Sequence, residues 1–401
     1  MRANAKTRSM LPGNQPSATL VWCRRQTPGS EGRAAVRSPR LYPLTFFPVF
    51  RNYMWGGRRL ETMFGRNLPP GIVAESWEIS GHSTTPTRVA RGPLADLTLP
   101  DVLHRLGLDL MGHNASELLR RERFPLLVKL LDANLDLSVQ VHPNDYYALA
   151  HEGDLGKTEM WYVLHAEPDA QIICGLRPGV TREVLARAVA SGRVAEALQR
   201  LPVRAGDAIC LPAGTVHALL SGLVVAEIQQ NSDATYRVYD WGRTGPDGRP
   251  RLLHTERALE VIAFGRTPPG VSTPTLASRN GEARVERLAS CAQFVVERLD
   301  LEAHGVFRGE CDGTSFEIWG AIAGVARLEA PTHEDWPGGA VSLRAVGWAL
   351  LPAALGRYAL RAQGGPCTLL RAYVPAAESW TLPGSGDREG LCALSTCPEG
   401  G

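Results

Sequence analysis

Two histidines, a glutamate and a glutamine stand in short strand-like runs from which they could hold one divalent cation. Ser138-Val-Gln140-Val-His142-Pro143 comes first, Lys157-Thr-Glu159 follows, and Pro212-Ala-Gly214-Thr-Val-His217 closes the set. Side chains alternate faces along a strand, so Gln140 and His142 point one way while Val139 and Val141 pack the other. Glu159 opens the apolar run Glu159-Met-Trp-Tyr-Val-Leu164, and His217 follows a tight Pro/Gly turn. A fold that lays these strands side by side would converge all four groups on one point. Zinc accepts such nitrogen and oxygen ligands, carries no redox chemistry, and would keep residual positive charge to polarise a substrate oxygen.

Two further residues bear on proton transfer. Only three lysines, Lys6, Lys129 and Lys157, occur among 43 basic residues. Lys157 thus keeps a lysine where the rest of the chain favours arginine, and a lysine buried beside a metal can release its proton near neutral pH, whereas arginine cannot. Asp233, in Ser232-Asp233-Ala-Thr-Tyr-Arg237, is either a second proton carrier or the cap of a turn. Arg237, at the end of that motif, offers a fixed cation. His82, His104, His113, His151, His165, His254, His304 and His333 lack partners at ligand spacing and read as structural or solvated. Trp55, Trp77 and Trp161 read as core.

These groups need a scaffold, and the composition points to strands. The chain has 401 residues, 44% of them hydrophobic, with 41 Gly and 29 Pro. That length suits two domains, and abundant Gly and Pro between short apolar runs favours strands and turns over long helices. No apolar run approaches the roughly 20 residues of a membrane span, so a soluble protein with no membrane partner is expected. The cysteines form no C-x-x-C pair and read as small buried hydrophobes in a reducing cytoplasm. Residues 1–40 hold eight basic groups and one acid, yet lack both an apolar core and amphipathic periodicity. They are expected to be a disordered or spurious extension, not a nucleic-acid arm.

From residue 41 the pattern alternates between strand-like pieces and a few helical ones. Residues 100–123 and 254–264 predict helices, and Thr181–Arg200 predicts the clearest one, capped by Thr181. Residues 143–157 predict a polar loop. The expected organisation is a metal-binding domain over 41–265, a linker over 266–283, a smaller β-domain over 284–376 and a flexible tail over 377–401.

Gly206-Asp207-x4-Pro212-x-Gly214-x2-His217 resembles the second signature of the cupin superfamily. With Leu-Ser-Val-Gln-Val-His-Pro, Gly-Lys-Thr-Glu-x-Trp-Tyr and Gln-Gln-Asn-Ser-Asp-Ala-Thr-Tyr-Arg-Val-Tyr-Asp in order, the chain resembles the type I mannose-6-phosphate isomerases, in their short bacterial form. The resemblance implies a mainly β fold of two cupin-type jelly-roll barrels with an inserted helical segment. It implies a single zinc ion held by Gln140, His142, Glu159 and His217, and a catalytic arginine at Arg237. Lys157 and Asp233 match the proposed proton-transfer groups. Family members with a histidine before the lysine have Gly156 here, which removes one candidate acid/base. The second barrel is expected to bind no metal, with Tyr358 near where a ligand histidine would otherwise stand.

The reaction so implied moves a proton between C1 and C2 of a sugar phosphate through an enediol. It needs a base, an acid and positive charge beside the developing oxyanion. Two histidines and a carboxylate are also the ligand set of iron-dependent dioxygenases. That class, and a non-catalytic sugar-binding module, are the alternatives. A pure binder would need no acid/base pair. A monomer or a dimer is expected.

Overall fold

The computed structural model describes residues 41–244, 248–331, 336 and 339–376. The expected extension over 1–40 and the tail over 377–401 lie outside the described residues. The protein is mainly β, and every strand pairing is antiparallel.

The first half builds a six-stranded and a five-stranded sheet. The six-stranded sheet runs Ala208–Leu211, Glu159–Ala166, Leu223–Gln230, Leu126–Ala133, Glu75–Ser80, Val49–Arg51. The five-stranded sheet runs Tyr236–Tyr239, Val139–Val141, His217–Leu219, Gln171–Leu176, Leu198–Pro202. Side chains from both, among them Leu131, Trp161, Ile172, Ile209, Leu219 and Val225, form one buried cluster. The opposite face of the six-stranded sheet, with Leu126, Val128, Leu130 and Ile228, joins a larger core shared with the helices and the second half. Leu126–Ala133 and Leu223–Gln230 are therefore buried along their whole length. Covering both faces explains why their sequences read as nearly continuous apolar runs.

The second half repeats the scheme with six strands and four. Val295–Leu301, Cys367–Tyr373, Glu317–Ala323 and Gly347–Leu351 form the heart of one sheet, and Val306–Cys311, Gly356–Ala362, Val325–Glu329 and Ala340–Arg344 the other. Leu299, Ile318, Leu350 and Leu369 meet Leu328, Leu343 and Leu360 in the same core cluster. Fully burying one such side chain stabilises the fold by about 1.5–3 kcal/mol.

The helices are shorter than their periodicity predicts. The 100–123 region breaks into Leu99–Leu106, Leu108–Met111 and Ser116–Leu119, because Gly107 and Gly112 take positive φ of 54° and 78°. The first piece starts at a capping box in which Thr98 and Asp101 bond each other's backbone N–H, worth about 1 kcal/mol. Thr181 does cap a helix, but that helix ends at Ala190 with Gly192 at φ 70°, and Leu198–Pro202 is a strand. The loop over 143–157 contains the helix Asp145–His151, capped by the Asn144 side chain. The segment read as a linker carries the strand Thr275–Asn280, exposed throughout, so no alternation marked it.

Candidate metal centre

Strand register assembles the site. In the five-stranded sheet Gln140 lies directly opposite His217 on one side and Arg237 on the other. His142 leaves the same strand two residues on, where the pleat returns its side chain to the face of Gln140. Glu159 begins a strand of the six-stranded sheet, paired with Leu211 and Gln229. The two sheets of one sandwich thus contribute from opposite sides.

The ligand atoms of His142, Glu159 and His217 all lie within 4.8 Å of one another, and all three residues are buried. His217 Nε2 is 3.1 Å from Glu159 Oε1, and His142 Nε2 is 3.4 Å from Glu159 Oε2. The Gln140 amide nitrogen is placed 3.4 Å from His217 Nε2, and a flip would present its oxygen there instead. Each histidine is oriented by its other nitrogen. His142 Nδ1–H donates to the Ala234 carbonyl at 2.9 Å, and His217 Nδ1–H to the Thr215 carbonyl at 2.8 Å. Both Nε2 lone pairs are thereby aimed inward, the outer hydrogen bonding that metal-ligating histidines use.

Electrostatics keeps the donors in ligand form. Burial, reinforced by Lys157, holds His142 well below its ordinary pKa and hence neutral. Burial pushes Glu159 up, but Lys157 and the two histidines outweigh it and hold the carboxyl well below the usual range. Glu159 Oε1 is nevertheless a buried oxygen with no donor in hydrogen-bonding geometry. An unsatisfied buried carboxylate oxygen beside the inward-facing His217 Nε2, with His142 Nε2 on the other carboxylate oxygen, is a donor set that fits a cation.

Lys157 lies against this cluster. Its ammonium bonds Glu159 Oε2 and sits 3.0 Å from His142 Nε2. Its backbone N–H donates to the Pro143 carbonyl, and the preceding Gly156 donates to Asp145 Oδ1. A Cβ on Gly156 would lie 2.4 Å from the Asp145 backbone nitrogen, so close approach to the helix start forbids any side chain there. Arg237 is tied down by Ser138 Oγ at 3.2 Å and the Leu252 carbonyl at 2.8 Å. Burial lowers its pKa, and the positive charges of Arg251 and Arg243 add to the effect. Asp233 is exposed, and its backbone N–H donates to Asp154 Oδ2 at 3.3 Å. The metal-ligand cluster and Lys157 are in contact; Asp233 stands apart from it.

One group of residues was missed. Lys129 is buried with its ammonium 3.4 Å from Glu227 and 4.0 Å from Glu75, over the Trp77 ring at 4.6 Å. Burial pushes Lys129 down, but Glu75 and Glu227, with Asp233 and Glu159 behind them, hold it above its usual value. Glu227 also accepts from Trp161 Nε1 at 2.8 Å, and the Trp161 ring meets His217 edge-on at 5.4 Å. Each strand shows a charged residue inside a largely apolar run, but nothing local in either says that the two meet.

Known proteins resemble this chain in sequence and fold. Residues 44–163 match the family model described as phosphomannose isomerase type I, catalytic domain. A Bacillus subtilis protein named "Probable mannose-6-phosphate isomerase GmuF" is 46% identical over 267 residues, covering 66% of this chain and 82% of that one. The mannose-6-phosphate isomerase of Streptococcus mutans is 41% identical over 239 residues, 60% of this chain and 73% of that one. Among solved structures, the mannose 6-phosphate isomerase from Bacillus subtilis superposes with a TM-score of 0.71 at 34% identity, over 82% of this chain and 99% of that one. Among the described residues no helix is long and apolar enough to cross a membrane.

Proposed function

The chain belongs to the type I phosphomannose isomerase family, and from that premise we propose that it is a zinc-dependent enzyme interconverting mannose 6-phosphate and fructose 6-phosphate. The observation that carries this reading is the buried His142–Glu159–His217 cluster with Lys157 in contact with it. Gln140, His142, Glu159 and His217 would hold the metal. Zinc bound there would polarise the substrate's oxygens and offset charge that builds on them.

The chain's own residues supply the rest. Lys157 is the proton carrier between C1 and C2, passing through a cis-enediol; its ammonium is fixed on Glu159 and beside His142, next to the residues that would hold the metal. Asp233, which is exposed, is the alternative base. Arg237, held by Ser138 and Leu252, is a fixed cation for the developing oxyanion, with no reorganisation needed when charge appears. Arg243 and Arg251 beside it share one carboxylate, Asp240, and the positive charge left over suits a phosphorylated substrate. Buried cysteines outside any disulfide, at Cys174, Cys311 and Cys367, suit a reducing cytoplasm.

A coupled assay for fructose 6-phosphate formed from mannose 6-phosphate tests the reading, with metal analysis on the same preparation. Activity that a chelator removes and zinc restores is expected. Zinc-loaded protein that leaves mannose 6-phosphate unchanged would refute it, and iron as the bound metal would favour an oxygenase.

A further inference from the structure

A cavity lies against the turn that leads into His217. It encloses about 570 Å³, within the roughly 300–1,000 Å³ of small-molecule sites. One wall is the Gly175–Arg182 segment and another the Ile262–Pro269 segment, with Gly214, Thr215 and Val216 between them. Arg177, Arg182 and Arg266 line it, and none of its lining residues is acidic. Glu183, which accepts from the rim residue Thr181 at 2.8 Å, offsets part of that charge.

Two of the arginines are anchored. Arg177 Nε donates to the Leu198 carbonyl at 3.2 Å, and Arg266 Nη1 to the Ala213 carbonyl at 3.0 Å. Each guanidinium thus spends one edge on the backbone and keeps its other donors for a ligand, a preorganised arrangement for planar anion recognition. Val216, Ile262, Phe264, Pro268 and Pro269 supply apolar surface beside them. Guanidinium charge beside apolar lining suits an anion that carries an apolar body such as a nucleobase.

The position gives such a site a consequence. Gly214 N–H donates to the His142 carbonyl at 2.8 Å, and the Thr215 carbonyl orients His217. Gly214 also accepts from Ala263 N–H at 3.0 Å, while Val216 accepts from Gly175 N–H at 2.7 Å. The turn is thus clamped between both cavity walls and both histidines of the metal centre. We propose that this cavity is an effector site for a nucleotide-like organic phosphate, separate from the metal centre and coupled to it through the Gly214–Val216 turn.

Adenosine monophosphate is a suitable probe. Calorimetry on the zinc-loaded full chain should show saturable binding of one molecule per chain, undisplaced by mannose 6-phosphate. Arg177→Gln and Arg266→Gln keep a donor for the backbone carbonyl but remove charge. Each should weaken binding about tenfold, the size of one charge-assisted hydrogen bond, with thermal midpoint and basal turnover unchanged. In the wild type the probe should alter turnover by several-fold, and in the double variant it should not. No saturable binding at millimolar probe, binding indifferent to both variants, displacement by mannose 6-phosphate, or binding without any change in turnover would each overturn the proposal. A wild type inactive on mannose 6-phosphate would sink the isomerase reading instead, and calorimetry would still decide the site.

Discussion

Lys157 and Arg237 are both cations near the metal-ligand cluster, yet their surroundings ask different things of them. Arg237 is clamped by a hydroxyl and a carbonyl, so its value is a fixed, planar charge. Arg237→Lys keeps the charge and loses the fork, and should lower turnover by about 10²-fold, the scale of losing one preorganised donor. Lys157→Arg keeps charge but fixes the proton, and should abolish exchange of the substrate's C2 proton with solvent deuterium. Full exchange and turnover in that variant would transfer the base role to Asp233. His217→Ala removes a nitrogen that faces Glu159 at 3.1 Å and leaves that carboxylate buried beside fewer donors. Metal content should fall with activity, and stoichiometric zinc in the variant would show the ligand set to be wrong.

At the scale of elements, the Ser232–Asp233 turn is held to the segment before Lys157 by one carboxylate. Asp154 Oδ1 accepts from Arg123 at 3.0 Å and from Leu155 N–H, while Oδ2 accepts from Ser232 Oγ at 3.2 Å and Asp233 N–H, with His82 Nε2 at 3.8 Å. Burial pushes Asp154 up, but the bonds from His82, Leu155 and Asp233 outweigh it and its pKa is lowered. A depressed carboxyl adds stability above its unfolded pKa and loses it as pH falls through the folded one. The stability gap between wild type and Asp154→Asn should therefore be full above about pH 5 and close below about pH 4, the ordinary aspartate value. A gap that is the same at pH 3 and pH 7 in urea titrations would mean that the charge is idle. The sequence disclosed this architecture unevenly. Gln140, His142, Glu159 and His217 were legible because strand alternation and a Pro/Gly turn dictate where their side chains go. Helix ends at Gly107 and Gly112 were less so, since a glycine inside an apolar period can be tolerated or can break it. The Asp154 clamp and the Lys129–Glu227 pair depend on segments distant in sequence, and no local pattern encodes them.

For the whole molecule, the two sandwiches carry the same register with different chemistry. Glu159 pairs with Leu211 before Pro212, and Glu317 with Leu351 before Pro352; Trp161 and Trp319 follow their glutamates at the same interval. His217 lies opposite Gln140, and Tyr358 lies opposite Gly309, where a Cβ would come within 2.3 Å of the Tyr358 ring. Two residues beyond Gly309, Cys311 takes the place that His142 has beyond Gln140. Glutamine, histidine, glutamate and histidine thus become glycine, cysteine, glutamate and tyrosine. Glu317 meets the Arg371 guanidinium on one oxygen, and the Tyr358 hydroxyl and Trp319 Nε1 on the other. Burial and the charge of Glu317 hold the Tyr358 phenol well above its ordinary pKa, so it stays a donor. Arg371 also reaches Glu297 at 3.4 Å, so the second sandwich closes its interior with an internal cation. Removing that cation strands the buried Glu317 carboxylate, while Glu297 keeps Arg287 at 3.1 Å, so Arg371→Met should cost about 3 kcal/mol, the lower end for breaking a buried pair because the guanidinium keeps some solvent contact. Adding Glu317→Gln should recover part of that loss, since the stranded charge is then neutral. Both variants should keep wild-type zinc content and turnover per folded chain at 25 °C, because the proposed metal ligands lie in the other sandwich. Denaturant midpoints and metal analysis on the same samples check this. An unchanged midpoint in Arg371→Met, or zinc lost along with stability, would show that the two sandwiches are not divided between catalysis and support in this way.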